Sequence, residues 1–269
     1  MPGLGRAIRA ELLKFFTTRL WWGMAIGVFL CAAALSVVFA ILYTLDAVTS
    51  PENGAAIPIT PTQLANTVYT AGLSLSYLLL LTIGVIQVGA EYRHKTITGT
   101  FLATPHRARV MVAKVVSLLL IGGAYGVLSL VGSVVFGAVA LQIRGEDPFP
   151  SVQILRTLAL SLLVLGLWAL IGLGVGILIP NQIASLLIGV GVAWIGLPII
   201  TFAMSFWDFG REHLVPFFPN QATSAVIDIV QSSANEVRLD WWGGAIVLAL
   251  WAAIPAGVGI LRTVRQDVS

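Results

Sequence analysis

The chain has 269 residues, of which 58% are hydrophobic and only 10% are charged, and its mean hydropathy is +0.94. Soluble domains typically carry about 25% charged residues, so too few charges remain here to cover a surface that faces water. The composition excludes an ordinary soluble enzyme, a disordered chain and a disulfide scaffold, and it predicts an integral membrane protein. The single cysteine, Cys31, lies in an apolar run and is expected to be a small buried hydrophobic residue.

The segment before the first apolar run predicts an amphipathic helix over residues 4–19. Arg6 and Lys14 lie away from the apolar arc of this helix. Such a helix can lie in the headgroup layer of a membrane. The apolar residues that share the arc are Leu4, Ile8, Leu12, Phe15 and Phe16.

Charge-free runs predict six membrane-spanning helices, since a bilayer core about 30 Å thick requires about 20 apolar residues per helix. The charge-free run 157–207 is too long for one helix, and Pro180, followed by Asn181 and Gln182, divides it into two. No internal repeat or linker is visible, so the sequence predicts one all-α transmembrane domain. The predicted spans cover residues 20–45, 66–90, 114–142, 154–179, 183–207 and 241–261.

Span two has a polar stripe among apolar residues, at alternating spacings of four and three. A polar stripe should face protein or a cavity rather than lipid. Two interpretations stay open: hydrogen bonding between helices of the bundle, or the lining of a path between two copies. The polar members of the stripe are Asn66, Thr70, Tyr77, Gln87 and Glu91.

The loop between spans two and three is basic, yet Ile97, Phe101 and Leu102 recur at the spacing of a short amphipathic helix. Pro105 would end this helix. One interpretation is a solvated loop that only sets topology. The other is a docking helix that enters a groove on a soluble partner, with Phe101 as the anchor.

The segment 208–240 is too long for a simple turn between spans five and six. Its apolar and aromatic residues predict short interfacial or re-entrant helices that cap one end of the bundle. A structured surface loop without function is the alternative.

Eleven of the fifteen Lys and Arg residues fall on the side of the membrane that carries both predicted termini. The positive-inside rule therefore predicts cytoplasmic termini in a multi-pass protein of the cell membrane. The pI near 9.3 then reflects topology, and nucleic acid is not an expected partner.

The sequence has no Gly-x-x-x-x-Gly-Lys-Ser/Thr, His-Glu-x-x-His or Gly-x-Ser-x-Gly motif. The histidines His94, His106 and His213 fall on both sides of the membrane and cannot form one metal site. No ionisable residue lies deep inside a predicted span, unlike the usual pattern of ion-coupled transporters. Energy for uphill transport would therefore come from a cytoplasmic partner.

Two stretches of the chain carry recognisable motifs. One is Glu91-Tyr92-Arg93 with Thr98-Gly99-Thr100, Pro105-x-Arg107 and Lys114, and the other is Arg6-x-x-Arg9-Ala10-Glu11-Leu12-x-Lys14 before a Trp-led span. The first resembles the intracellular loop of the ABC-2-type permeases, and the second resembles the N-terminal segment of the same family. These permeases are membrane subunits of type 2 (type V fold) ATP-binding-cassette exporters, similar to bacitracin- and sodium-export permeases. The resemblance covers essentially the whole chain.

The resemblance implies a permease that works as a dimer, expected to be of identical chains, with a separate ATP-binding-cassette ATPase that holds ATP and Mg. This chain would then be no enzyme and would hold no cofactor or metal. Segment 4–19 would be an interfacial elbow helix, on which the family motif places Arg6, Arg9, Glu11 and Lys14. The substrate would be an amphiphilic drug, peptide or lipid. A self-sufficient channel or secondary transporter is the main alternative, and a membrane enzyme acting on lipid is a third.

Segment 91–104 would be the coupling helix that rests on the ATPase, and Glu91 would pair with Arg93, with Arg107 or with the ATPase. The residues implied in coupling are Glu91, Tyr92, Arg93, His94, Lys95, Thr98, Phe101, Leu102 and Arg107. The residues implied in the substrate path are Asn66, Thr70, Tyr77, Gln87, Trp194, Pro198 and Phe202.

Overall fold

The structure is a computed structural model that describes residues 3–45, 59–94, 107–227 and 239–265. The regular structure of these ranges is helical. The predicted all-α class is confirmed, and six of the helical segments are long and apolar enough to cross a membrane, in agreement with the number of predicted spans. Much of the predicted coupling helix, residues 95–104, lies outside the described ranges.

An amphipathic helix, α1, precedes span one, and three short helical pieces lie between spans five and six. Span two is made of α3 and α4, and span five is made of α7, a π-helical segment and α8. The helices are α1 Leu4–Phe16, α2 Leu20–Tyr43, α3 Pro61–Thr70, α4 Leu73–Arg93, α5 Arg107–Ile143, α6 Gln153–Leu178, α7 Gln182–Gly191, the π segment Val192–Gly196, α8 Leu197–Ser205, α9 Asp208–His213, the 3-10 turn Val215–Phe217, α10 Pro219–Ile227 and α11 Trp241–Arg265.

Span two begins five residues earlier than the sequence predicted, at Pro61 rather than at residue 66. Proline is tolerated at the first helical position, because its missing N–H would have no intrahelical partner there. Thr60 caps the helix: its hydroxyl accepts the Gln63 N–H at 3.3 Å, and the Gln63 side chain accepts the Thr60 N–H at 3.0 Å. This capping box fixes the start of the helix at Pro61.

The break between spans four and five falls at Pro180 and Asn181, as the sequence indicated. The Asn181 side-chain oxygen accepts the N–H groups of Ile183 and Ala184, both at 3.1 Å. An asparagine in this position satisfies two donors that the first turn of a helix would otherwise leave unpaired. The turn therefore starts α7 directly after α6 ends.

Spans two and four form the most buried pair of the bundle. They meet at glycines: a Cβ on Gly84 would overlap the Ala169 carbonyl oxygen, and a Cβ on Gly172 would overlap the Leu81 carbonyl oxygen. Small residues at such positions let two helix backbones approach closely. Tyr77 and Trp168 stack beside this contact, with ring centroids 4.3 Å apart.

Span five is the least buried of the six, and its α-helical pattern changes to a π-helix over Val192–Gly196. Pro198 lies two residues after this segment and has no N–H to offer the Trp194 carbonyl. A π segment beside a proline is a local adjustment of the hydrogen-bond ladder rather than a simple bend. Trp194 and Phe202 on this span are 57% and 67% exposed.

The pieces between spans five and six pack onto the end of the bundle that also holds the loop 144–152. The Trp168 indole N–H donates to the Thr223 hydroxyl at 2.9 Å, and the Trp251 indole N–H donates to the Phe217 carbonyl at 3.0 Å. These bonds attach the segment to spans four and six. Whether it dips into the membrane as a re-entrant or interfacial element stays a prediction, and residues 228–238 lie outside the described ranges.

Candidate functional site

Four charged side chains from three parts of the chain meet at the end of the bundle that carries α1. We call this group the ion cluster: Glu11 and Lys14 from α1, Glu91 from the last turn of span two, and Lys114 from near the start of span three. Lys114, Glu11 and Glu91 are only 1%, 4% and 5% exposed. Lys14 closes the outer side of the cluster, and its side chain is 48% exposed.

Each ammonium group of the ion cluster bridges both carboxylates. Lys114 Nζ lies 2.7 Å from Glu91 Oε1 and 2.8 Å from Glu11 Oε2. Lys14 Nζ lies 2.7 Å from Glu91 Oε1 and 2.8 Å from Glu11 Oε1. The two positive and two negative charges cancel, so the cluster is neutral as a unit.

The pairing explains why charged groups are stable in this position. An unpaired ion taken out of water costs several kcal/mol, and short charge-assisted hydrogen bonds offset that cost. Burial alone would lower the pKa of Lys14, but the hydrogen bonds and charges of Glu11 and Glu91 outweigh it and raise the pKa above its usual value. Lys14 therefore stays protonated over the whole neutral range.

The pairing also joins three elements of the chain at one point. Glu91 lies in the last turn of span two and Lys114 lies about two turns into span three, so both are at the ends of the spans that residues 95–106 connect. Glu11 and Lys14 fix α1 to the same point. A displacement of that loop would thus be transmitted to α1 and to two spans together.

The partners of Glu91 differ from those expected from the sequence. Glu91 pairs with Lys14 and Lys114, and the expectation of Arg93 as a partner is wrong. Arg93 is exposed and lies two positions further along the same helix, where a side chain faces away from Glu91. The side chain of the other expected partner, Arg107, lies outside the described part of the chain.

The remaining predicted coupling residues divide into two groups. Tyr92 is half-buried against the hydrophobic core, and His94 is exposed at the end of span two. Lys95, Thr98, Phe101 and Leu102 lie outside the described residues. Their role in coupling stays a prediction.

The helix α1 buries only part of its apolar arc against the bundle. Its buried residues are Glu11 and Phe15, whereas Leu4 and Phe16 are 42% and 46% exposed. The predicted elbow residues Arg6 and Arg9 are exposed. The interfacial position of α1 stays a prediction.

The predicted path residues lie in two different environments. Those of span two contact other helices of the same chain: Asn66 and Thr70 are buried, and Tyr77 stacks on Trp168. The Gln87 side-chain amide donates to the Ser117 hydroxyl at 3.1 Å. The path residues of span five are exposed on the surface of the chain, and they are Trp194, Pro198 and Phe202.

Lys114 is the member of the cluster for which the sequence predicts no role, although it belongs to the motif that resembles the permease loop. The balance of acids and bases on the side of the termini could have pointed to a partner for Glu11 and Glu91. The side with the termini has only three acids, Glu11, Glu91 and Asp267. Two of them adjoin apolar spans, where an acid needs a cationic partner.

A cavity of about 270 Å³ lies beside the ion cluster. Two oxygens of residues in its wall, Glu91 Oε2 and Gln87 Oε1, are buried and accept no hydrogen bond. Within the described ranges, no group of three or more His, Cys, Asp or Glu side chains could hold a metal ion. The cavity is lined by Glu11, Lys14, Phe15, Thr18, Leu20, Ile86, Gln87, Ala90, Glu91 and His94.

No protein-family model matches this chain, and no curated protein matches it either. The likeness to ABC-2-type permeases therefore rests on the motifs of the sequence alone. What the structure adds is the arrangement around those motifs, above all the ion cluster and its cavity.

Proposed function

We propose that this chain is the membrane permease subunit of an ATP-driven exporter of the cell membrane, and that it works as a dimer with a separate ATP-binding-cassette ATPase. Its termini and the loop 95–106 would be cytoplasmic. The ATPase would hold ATP and Mg and would push on that loop. An amphiphilic drug, peptide or lipid would leave between two copies of the chain.

The observation that supports this proposal most is the ion cluster. A subunit moved by a partner needs a stiff connection between the contact surface and the spans. The cluster joins α1 to the two spans on either side of the loop through four ion pairs of 2.7–2.8 Å. Force on the loop would thereby reach three elements at once.

The charge distribution gives independent support. The cluster end of the bundle holds most of the basic residues, as expected for a cytoplasmic side. The sequence has no nucleotide-binding P-loop motif, so an ATP-driven mechanism requires a second protein.

The proposal is tested by a double variant of the loop region, Phe101→Ala with Arg93→Glu. Affinity purification of the tagged chain from its native membranes should recover an ATPase, measured as ATP hydrolysis in the eluate. The double variant should lose this activity yet insert into the membrane normally. The matched control makes the same two changes at the other end of the bundle, Phe209→Ala with Arg211→Glu, and should retain the ATPase.

Undiminished ATP hydrolysis with the loop variant, or equal loss with the control, would contradict coupling through this loop. Absence of any ATPase from the wild-type eluate would contradict the proposal as a whole.

One observation favours a second candidate function, a secondary transporter. Glu91 and Lys114 lie inside the candidate spans Pro61–Arg93 and Arg109–Ile143, and buried ionisable groups are common in proton-coupled transporters. Both sit near the ends of their spans, which is less typical of such a site. Transport by the purified chain alone in proteoliposomes, driven by a pH gradient without ATP, would favour this alternative over the permease.

A further inference from the structure

The arginines around α1 are not neutralised by the ion cluster. Both carboxylates of the cluster are taken up by its two lysines. Arg6, Arg9 and Arg19 are exposed, and within the described ranges none of the three forms an ion pair. The surface of α1 therefore carries a positive charge that the described part of the chain does not balance.

Two of these arginines share one face of α1 with large apolar side chains. Four residues follow one stripe of the helix at spacings of three, four and three, and they define what we call the outer face of α1: Arg6, Arg9, Leu13 and Phe16. The buried residues Glu11 and Phe15 lie on the opposite side of the helix. On the outer face, Leu13 is 54% exposed and Phe16 is 46% exposed. The bundle thus leaves both the cations and the apolar groups of this face uncovered.

The outer face continues into the first turn of span one. The ring of Phe16 packs edge-on against the ring of Trp21, with centroids 5.9 Å apart. Trp21 and Trp22 are exposed, and exposed tryptophans mark the headgroup level of a membrane. Arg19 lies in the short turn between α1 and span one. The outer face therefore adjoins the hydrocarbon of the bilayer, a position that favours lipid over a soluble protein as the partner.

The side chains of the outer face match the two layers of a lipid leaflet. Arginine stems pack along apolar surface while the guanidinium ends reach polar groups, and their fork of donors fits a phosphate. Leu13 and Phe16 supply apolar surface for the boundary between headgroups and acyl chains. Since the cations are not balanced within the described ranges, a lipid with a net negative charge is favoured over a zwitterionic one.

We propose that the outer face of α1, together with Arg19, binds anionic phospholipids of the leaflet on the side of the ion cluster. Arg6, Arg9 and Arg19 contact the headgroup phosphates, and Leu13 and Phe16 enter the upper acyl region. The ion cluster attaches α1 to the bundle on one side, and the lipid binds it on the other. This site does not depend on the proposed ATPase partner, so either proposal can fail while the other stands.

Competition between lipids for the purified full-length chain, measured by native mass spectrometry, tests the charge preference. The probes are phosphatidylglycerol and phosphatidylcholine with identical acyl chains. We expect phosphatidylglycerol to bind at least about tenfold tighter, since each cation at an anionic membrane surface contributes a factor of about five in affinity. Equal binding of the two lipids would overturn the proposal.

Charge variants locate the binding. Arg6→Gln with Arg9→Gln should reduce the preference for phosphatidylglycerol at least about fivefold, whereas Arg6→Lys with Arg9→Lys keeps the charges and should retain most of it. The matched control, Arg144→Gln with Arg156→Gln, removes two exposed arginines from the other end of the bundle and should leave the preference unchanged. An equal loss in the control, or no loss in the glutamine variant of α1, would place the lipid elsewhere and overturn the assignment.

A spin label at Leu13 tests the membrane contact independently of the charge preference. With Cys31→Ala as background, a nitroxide on Leu13→Cys in vesicles of phosphatidylglycerol and phosphatidylcholine should collide more often with oxygen, which concentrates in the bilayer, than with a water-soluble nickel chelate. The same label on Asp147→Cys, in the loop at the other end, should show the reverse order. Preferential collision of the Leu13 label with the nickel chelate would overturn the proposal, because the outer face would then lie in water or against a soluble protein.

Discussion

Lys114 is the most buried charged side chain among the described residues, with 1% of its surface exposed. Its two carboxylate partners come from different helices, α1 and span two. A buried ion pair of this kind adds little net stability over apolar residues of the same size, but its loss is costly, because a bare charge stays behind. The cluster is therefore better understood as a device that fixes three elements in one arrangement.

Lys114→Met should leave Glu11 and Glu91 with Lys14 as their shared counter-charge. We expect this variant to lose about 3–5 kcal/mol of unfolding free energy, measured by thermal unfolding in detergent. Arg211→Met serves as the control: Arg211 pairs at 2.9 Å with Asp208, whose side chain is 85% exposed, so the change should cost less than about 1 kcal/mol.

The double variant Lys114→Met with Glu91→Gln removes a positive and a negative charge together. It should recover part of the stability that Lys114→Met loses. A double variant no more stable than the single one would show that the loss comes from packing and not from the unpaired carboxylate.

The pKa of Lys14 makes a prediction at alkaline pH. Because Glu11 and Glu91 raise this pKa above the ordinary value of 10.5, the folded chain holds the proton more tightly than the unfolded chain does. The contribution of Lys14 is therefore complete below pH 10.5 and is lost as the pH rises through the folded pKa.

Unfolding temperatures measured between about pH 9 and about pH 12 check this sign, since that window spans the titration of lysine. Lys14→Met should flatten the alkaline decline that belongs to this residue. Lys14→Arg keeps its charge above pH 12 and should shift the decline to higher pH. An unchanged decline in both variants would contradict the assignment.

At the scale of elements, the closest contact of the bundle is the crossing of spans two and four. Gly84 and Gly172 face the backbone of the opposite helix, with no space for a methyl group. Elsewhere a helical glycine is a weakness, because it costs about 0.5–1 kcal/mol relative to alanine. At this crossing, glycine allows a close approach of the two helix backbones that a larger side chain would prevent.

Gly84→Ala should therefore destabilise the chain by about 1–3 kcal/mol, the usual cost of overpacking. Gly123→Ala is the matched control, since a Cβ there meets nothing within 4 Å, and it should stabilise by about 0.5–1 kcal/mol. The two unfolding temperatures should move in opposite directions. Movement in the same direction would show that the helices can separate without cost.

The elements could be predicted from the sequence where one local rule decides. The length of a charge-free run gave the six spans, and Pro180 with Asn181 gave the turn between spans four and five. The sequence predicts the start of span two five residues too late, because a proline is common in loops as well as at the first helical position, and the Thr60–Gln63 capping box decides between the two. The π segment of span five could not be predicted, since a proline within a helix indicates at most a kink.

The ion cluster was out of reach of sequence reasoning for a different reason. Glu11 and Lys114 are 103 positions apart, and Lys14 and Glu91 are 77 apart. The resemblance implied Arg93, Arg107 or the ATPase as the partner of Glu91, and helix geometry turns the Arg93 side chain away from Glu91. Such pairs depend on where α1 packs against the bundle, and a local sequence pattern does not indicate that position.

At the scale of the whole molecule, the distribution of charge predicts one orientation in the membrane. The cluster end should face the cytoplasm, and the loop 144–152 should face outward. With Cys31→Ala as background, Asp147→Cys should react with a membrane-impermeant maleimide in intact cells. Thr17→Cys should react only after permeabilisation. The reverse pattern would contradict both the orientation and the proposed contact with an ATPase.

The long sequence separation within the ion cluster also sets an order of events during synthesis. Glu11 leaves the ribosome long before Lys114, 103 residues later, has been translated. Until the third hydrophobic segment enters the bilayer, Glu11 on α1 cannot form its ion pair with Lys114. The N-terminal helix, although made first, can thus reach its final place only after half of the spans have been inserted.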